Sequence, residues 1–165
     1  MIPIIDTDRL IVRRFKAEDE EVYLNLCEDE RVALYLPYRT REEQTVIFRE
    51  SLLDPPGQLT GRWGMFNKAD GDFIGTCLLR PFDDGSNSVE LGYVLAHRYW
   101  GKGIASEMAR LLLAYARNIN PSAKFVAVTD LENVASQNVL EKSGLHRAGN
   151  YIRQGKELAF FKTNP

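Results

Sequence analysis

From Val89 to Leu95 apolar and polar positions alternate: Val89, Leu91, Tyr93 and Leu95 fall on one side of an extended chain, Glu90, Gly92 and Val94 on the other. That is the period of two that a strand requires. Immediately downstream the period changes. Ile104, Met108, Leu111, Leu112 and Tyr115 recur at three- and four-residue steps while Glu107, Arg110 and Arg117 take the opposite side, which predicts an amphipathic helix from Gly103 to about Asn118.

The same patterns place the remaining elements. A β-type run covers Arg9–Phe15, and the acids Glu18, Asp19, Glu20 and Glu21 then open a helix over Ala17–Cys27, where the helix dipole favours them. A helical piece over Glu30–Leu36 is stopped by Pro37, and another over Arg41–Leu53 by Asp54-Pro55-Pro56-Gly57. Arg62–Asn67 and Phe73–Phe82 read as strands joined at Asp70-Gly71, with Gly75 marking a bulge or a close backbone approach. Phe125–Thr129 is a strand, Asn133–Ser143 a helix stopping at Gly144, and Leu145–Arg153 with Lys156–Lys162 a hairpin about Gln154-Gly155. The strand-helix-strand passage from Val89 to Thr129 makes its two strands parallel in an otherwise antiparallel sheet. The expected class is α+β, with a mixed, mostly antiparallel seven-stranded sheet flanked by helices.

Composition narrows the function without naming it. The chain has 165 residues, 44% hydrophobic and 27% charged, which suits one globular domain over residues 1–165. A net charge of −2 argues against a generic nucleic-acid binder. The start Met1-Ile2-Pro3-Ile4-Ile5-Asp6 resembles no secretory signal, and no apolar stretch approaches a membrane span, so the expected location is cytoplasmic. Cys27 and Cys77 read as ordinary buried or half-buried thiols, and no metal-ligand spacing is visible. His97 and His146 lack partners at catalytic spacing and read as structural, as do Trp63 and Trp100.

The stretch Arg98-Tyr99-Trp100-Gly101-Lys102-Gly103-Ile104-Ala105 joins the clearest strand to the clearest helix. Two glycines permit positive φ and close backbone approach, and the first-turn N–H groups lack intrahelical partners. With Arg98 and Lys102 nearby, the helix start suits a phosphate; a plain strand-to-helix turn with a basic rim fits the same residues.

The whole set discriminates. Arg98-x-x-Gly101-x-Gly103-x-Ala105 follows a strand bearing Glu90, and a helix opening Asn133-x-x-Ser136 follows the second parallel strand. This resembles the GNAT superfamily of acyl-CoA-dependent N-acyltransferases, and Thr7–Phe15 with Glu132–Leu145 resemble its ribosomal-protein alanine N-acetyltransferase (RimJ/RimL) branch. The resemblance implies a splayed parallel strand pair that receives the pantetheine arm of acetyl-CoA, the co-substrate, against the main chain of Tyr93, Val94 and Leu95. It implies that the N–H groups of Gly101, Lys102, Gly103, Ile104, Ala105 and Ser106, with Arg98, hold the pyrophosphate. Asn133 and Asn138 would add cofactor contacts, and the loop bearing Tyr35 and Tyr38 would wall the acceptor groove.

Amine acylation needs a base for the ammonium and an acid for the leaving thiolate. Glu90 is the candidate base, since burial in mid-strand should raise its carboxyl pKa; a carboxylate paired with an arginine is the alternative. The tyrosine that serves as acid in many GNAT enzymes is replaced by Leu140, which moves that role to Ser136. The implied reaction is acetylation of a primary amine, with a protein or peptide α-amine such as that of a ribosomal protein first. A small amine (polyamine, amino acid, aminoglycoside) is the alternative, and the acidic first helix would suit a cationic acceptor. A non-catalytic acyl-CoA sensor is the reading from another class. Neither nucleic acid nor membrane is implied as a partner, and monomer and homodimer both fit.

Overall fold

The computed structural model describes residues 2–164; the one-domain reading extends to Met1 and Pro165, which lie outside them. The strands are β1 (Ile5–Asp6), β2 (Leu10–Arg14), β3 (Gly61–Asn67), β4 (Phe73–Pro81), β5 (Val89–Leu95), β6 (Phe125–Asp130), β7 (His146–Arg153) and β8 (Lys156–Lys162). They form one sheet in the order β1-β2-β3-β4-β5-β6-β8-β7, antiparallel except between β5 and β6. The eighth strand, absent from the sequence expectation, is β1: two residues paired to β2 through Ile5–Val12 and Asp6–Ile11, too short to carry a period.

The helices are α1 (Glu20–Glu28), α2 (Glu30–Ala33), α3 (Arg41–Ser51), α4 (Ile104–Ile119) and α5 (Val134–Lys142). The helix expected over Ala17–Cys27 divides into a 3-10 turn at Ala17–Asp19 and α1, and the piece expected to reach Leu36 ends at Ala33, four residues before Pro37. None is long and apolar enough to cross a membrane.

Alternation in the strands sorts the side chains onto two faces. Leu10, Val12, Met65, Leu79, Leu91 and Phe161 meet Met108 and Leu112 of α4 and Leu140 of α5. On the other face Phe15, Phe66 and Phe73 meet Tyr23 of α1 and Phe48 of α3, the Phe15 and Phe48 rings lying 5.0 Å apart. Burying each such aromatic is worth roughly 2–3 kcal/mol, so this face holds a second, smaller core. Thr40 and Glu43 form a capping box that fixes the start of α3. Across the two outer helices Glu20 pairs with Arg49 (2.9 Å), Glu21 with Arg41 (2.8 Å), and Glu28 with Arg41.

Two glycines shape the surroundings of the β5 C-terminus. A Cβ on Gly75 would stand 2.1 Å from the carbonyl oxygen of Val94, so β4 and β5 approach in a way only glycine allows. The pairing of β3 with β4 shifts register beside it, between Met65 and Phe66, as the sequence reading of Gly75 expected. Beyond β5, Gly103 takes φ 76° as the residue before α4.

Candidate active site

The site begins where β5 and β6 part. Their register holds only for Val89–Phe125 and Glu90–Val126, after which β5 stays with β4 to Leu95 while β6 follows β8 to Asp130. An open groove of about 1400 Å³ runs through this wedge and onto the α1 face of the sheet.

Peptide parity decides which backbone groups enter it. The Val89 N–H bonds the Lys124 carbonyl, whereas the Ser88 carbonyl and the Ala96 N–H bond Phe82 and Ile74 on the β4 side. Successive residues of a strand point their peptide groups to opposite edges. Tyr93 and Leu95 therefore face the wedge, and Val94 faces β4; contrary to the sequence expectation, Val94 offers the groove its side chain and not its main chain. The Leu95 carbonyl is already taken, accepting from the Trp100 indole N–H at 2.9 Å.

At the wedge's far end the turn into α4 presents Gly101 (φ 71°) and Gly103 (φ 76°), followed by Ile104, Ala105 and Ser106, all lining the groove. The two basic residues expected there stand elsewhere. Arg98 turns to the β3–β4 hairpin, where it donates to Asp72 at 2.9 Å and to the Phe73 carbonyl at 2.8 Å. Lys102 places its ammonium 5.5 Å from the Tyr99 ring centre. The loop is held from outside by residues to which the motifs assigned no role at the site. Arg9 donates to Glu107 (2.6 Å) and to the Lys102 carbonyl (2.8 Å), and Thr7 donates to the other Glu107 oxygen (2.8 Å). Their only sequence signal was a Thr-Asp-Arg-Leu segment nearly a hundred residues away from the loop.

On the α4–α5 face the wedge meets α5. Asn133 caps that helix, its side-chain oxygen accepting from the Ser136 N–H at 3.1 Å, and Ser136 in turn stands 3.0 Å from the Tyr93 hydroxyl. Burial raises the Tyr93 phenol above its ordinary value, although the Ser136 bond acts the other way. Asn138 lines the groove from an exposed position on α5, and Leu140, the residue that the resemblance sets in place of a tyrosine, is buried in the core.

On the opposite face Glu90 is 4% exposed. Arg80 donates to both its oxygens at 3.1 Å, and Arg153 donates at 3.0 and 2.8 Å while also bridging to Asp83. Desolvation pushes this carboxyl up, but the hydrogen bonds and charges of Arg153 and Arg80 outweigh it and leave it below its ordinary value. The expected upward shift is thus reversed, because the neighbours that sequence order made apolar include two guanidiniums brought from β4 and β7.

This face of the groove also carries Tyr23, Cys27, Tyr35, Tyr38, Arg39, Gln44 and Arg62, with Tyr35 half-buried and Tyr38 exposed. Burial pushes the Tyr23 phenol to about 12 and raises the Cys27 thiol, so both stay protonated. The acids of α1 do not reach the groove: Glu20, Glu21 and Glu28 are spent on Arg49 and Arg41, which removes the reason for expecting a cationic acceptor. Among the described residues no group of three or more His, Cys, Asp or Glu could hold a metal ion.

Comparison with known proteins places the fold in a family. The model of the acetyltransferase (GNAT) domain family matches residues 9–146. The uncharacterized N-acetyltransferase YoaA of Bacillus subtilis is 27% identical over 152 residues, covering 90% of this chain and 86% of that protein. The RimL ribosomal L7/L12 α-N-protein acetyltransferase, solved with coenzyme A, superposes with a TM-score of 0.80 at 16% identity, covering 98% of this chain and 97% of that one. The aminoglycoside acetyltransferase AAC(6')-Ib, also with coenzyme A, superposes at 0.77 and 16%, covering 93% and 94%. At such identities the two structures establish the shared fold and leave the acceptor open. The family match extends from the Arg9 clamp to the first residue of β7, and this chain belongs to the GNAT family and is an acetyltransferase.

Proposed function

We propose that the chain transfers an acetyl group from acetyl-CoA to the α-amine of a peptide or protein N-terminus, as in the RimJ/RimL branch. The observation that carries the reading is the wedge with the Tyr93–Ser136 pair on its α5 side and an open groove, suited to an acceptor, on the other face. The residues fit the cofactor: the Tyr93 peptide and the Leu95 N–H are directed into the wedge for an extended amide-bearing arm, and the N–H groups of Gly101 to Ser106 form a helix-start cradle for a pyrophosphate. A bound acetyl-CoA supplies the activated acyl group.

A backbone N–H of β5 is a fixed donor for the thioester carbonyl oxygen and for the charge that develops there. Ser136 donates its proton to the leaving sulfur and is resupplied by Tyr93, whose raised phenol stays protonated at neutral pH. Asn133 and Asn138 contribute the α5 side of the cofactor site.

Glu90 takes a different part from the one its position suggested. Four hydrogen bonds from two arginines make it a weak proton acceptor, so it anchors the acceptor floor, and water takes the proton from the amine. Arithmetic then favours the α-amine. Near pH 7.4 about a quarter of α-amines of pKa ~7.7–8.0 are already neutral, against about one in a thousand lysines at ~10.4. A site without a poised base serves the first and not the second. Tyr35 and Tyr38 provide flat, amphipathic walls for the residues that follow the amine.

The test is thiol release from acetyl-CoA with peptides bearing free amino termini, polyamines and aminoglycosides, for the wild type and Glu90→Gln. Turnover of peptides alone supports the reading. Turnover confined to polyamines or aminoglycosides sinks it, and tight acetyl-CoA binding with no turnover makes the chain a sensor.

A further inference from the structure

The acceptor half of the groove carries positive charge that the fold leaves unanswered. Arg80 and Arg153 are neutralised by Glu90 and Asp83. Arg62 and Arg39 line the same groove, and among the described residues neither has a carboxylate at ion-pair distance. The peptide N–H of Arg62 donates to Asp54 at 3.0 Å, and among the described residues its guanidinium makes no hydrogen bond. Arg62 is nonetheless half-buried, and the fields of both arginines reach Tyr23 and Cys27 on the groove wall. A guanidinium partly stripped of water has several N–H donors that an anion would satisfy.

Register fixes where that anion would sit. Arg62 pairs with Leu78, and Leu78 pairs with Gly92, so the three form one row on one face of the sheet. Two interstrand steps of ~4.8 Å place Arg62 about 10 Å from β5, the strand that borders the wedge. Between them the floor is an apolar side chain and a glycine. A Cβ on Gly92 would meet Leu78 at 3.2 Å, so the row is low and close-packed here.

We propose that Arg62, seconded by Arg39, selects the acceptor by binding a carboxylate carried about 10 Å from the reacting amine. The inference rests on the acetyltransferase reading and adds the substrate's chemistry to it. In an extended peptide rising ~3.4 Å per residue, an aspartate or glutamate at the second or third position reaches that row. The planar fork of a guanidinium matches a carboxylate with two parallel bonds. A free α-amino acid holds its amine and carboxylate too close together to span the row. A polyamine has no group for Arg62 and is repelled by it.

The experiment uses the full chain with acetyl-CoA and two sets of acceptors. Short peptides carry Asp or Asn at the second or third position, and 6-aminohexanoate is compared with its amide. Thiol release gives kcat and KM, and calorimetry with coenzyme A present gives acceptor binding. The expected result is a preference for the carboxylate over the amide of about tenfold or more, expressed in KM, as one charged hydrogen-bonded contact provides. Arg62→Gln removes the preference and leaves the acetyl-CoA KM and the neutral-peptide kcat unchanged, while Arg62→Lys keeps part of it. Equal rates for acid and amide in both sets, uniform slowing of every acceptor by a folded Arg62→Gln, or no binding of any carboxylate acceptor overturns the proposal. Carboxylate preference in the aminohexanoate set alone, removed by Arg62→Gln, sustains it and sinks the α-amine reading. Rapid turnover of acidic and neutral peptides alike does the reverse.

Discussion

The Tyr93 hydroxyl and the Ser136 hydroxyl stand 3.0 Å apart, one from β5 and the other from the first turn of α5. Both side chains are partly buried; in the proposed reaction the pair is a two-step proton path ending beside the wedge. General acid catalysis contributes about 10²–10⁴-fold. Ser136→Ala is expected to lower kcat about a hundredfold and Tyr93→Phe about tenfold, with the acetyl-CoA KM little changed. Because the phenol is raised, wild-type kcat should hold into the alkaline range and decline only above about pH 10, the ordinary tyrosine value. Steady-state kinetics from pH 6 to 10.5 would show it, and unchanged kcat in both variants would remove the pair from the chemistry.

Glu90 makes a separable prediction about stability. Its folded carboxyl is depressed, so the stabilisation it provides is complete above the unfolded value of ~4.3 and is lost as pH falls through the lower folded value. Glu90→Gln leaves Arg80 and Arg153 without their shared counter-ion and is expected to cost about 3 kcal/mol at pH 7. The gap from wild type should narrow towards pH 3. Urea denaturation at both pH values measures it. If Glu90 were a base poised near neutrality, the rate profile would rise with a pKa of 6–7; an anchoring carboxylate leaves no such limb.

The turn into α4 predicts a cofactor-specific lesion. Gly103 sits at φ 76°, and an added Cβ would meet only Arg9 Nη2, at an ordinary 3.5 Å. The cost of Gly103→Ala is therefore backbone strain of about 1–2 kcal/mol, concentrated at the proposed pyrophosphate cradle. The acetyl-CoA KM is expected to rise about tenfold with acceptor KM unaffected, read from initial rates with each substrate varied in turn.

Arg9 should behave as a positioning residue for the same loop. It touches the Lys102 carbonyl and Glu107 but lies outside the groove. Arg9→Ala is expected to raise the acetyl-CoA KM several-fold while kcat at saturation stays within about twofold, because the reacting atoms keep their neighbours. A fall in kcat with unchanged KM would contradict this role.

Gly75→Ala tests the close approach of β4 and β5. With 2.1 Å available between the new Cβ and the Val94 carbonyl, the strands must separate, and a loss of about 3 kcal/mol or more is expected in thermal or urea unfolding.

Most of this architecture was legible because each long element carried its own period. The strand at Val89–Leu95, the helix after Gly103 and the turn at Gln154-Gly155, where φ is 50° and 77°, all stand where their residues place them. Position in the chain was less informative about electrostatics. Arg98 lies in the motif yet finds Asp72, and Glu90 lies among apolar neighbours in sequence yet meets Arg153 from a strand 63 residues on. Such pairings depend on which strands the topology sets side by side, and no local period encodes that. The parity of Val94 was available all along, since it follows from which edge of β5 pairs with β4.

The parting of β5 from β6 also divides the sheet mechanically. Among the described residues the ladder between the five strands on one side and the three on the other consists of the pairs at residues 89–90 and 125–126, so along the rest of the seam a ligand's amides would be the rungs between them. Acetyl-CoA would then act as a rivet as well as a reactant. Its binding should suppress amide hydrogen exchange in β6 and β8 as well as in the glycine turn, and raise the unfolding temperature in proportion to the logarithm of its concentration above Kd.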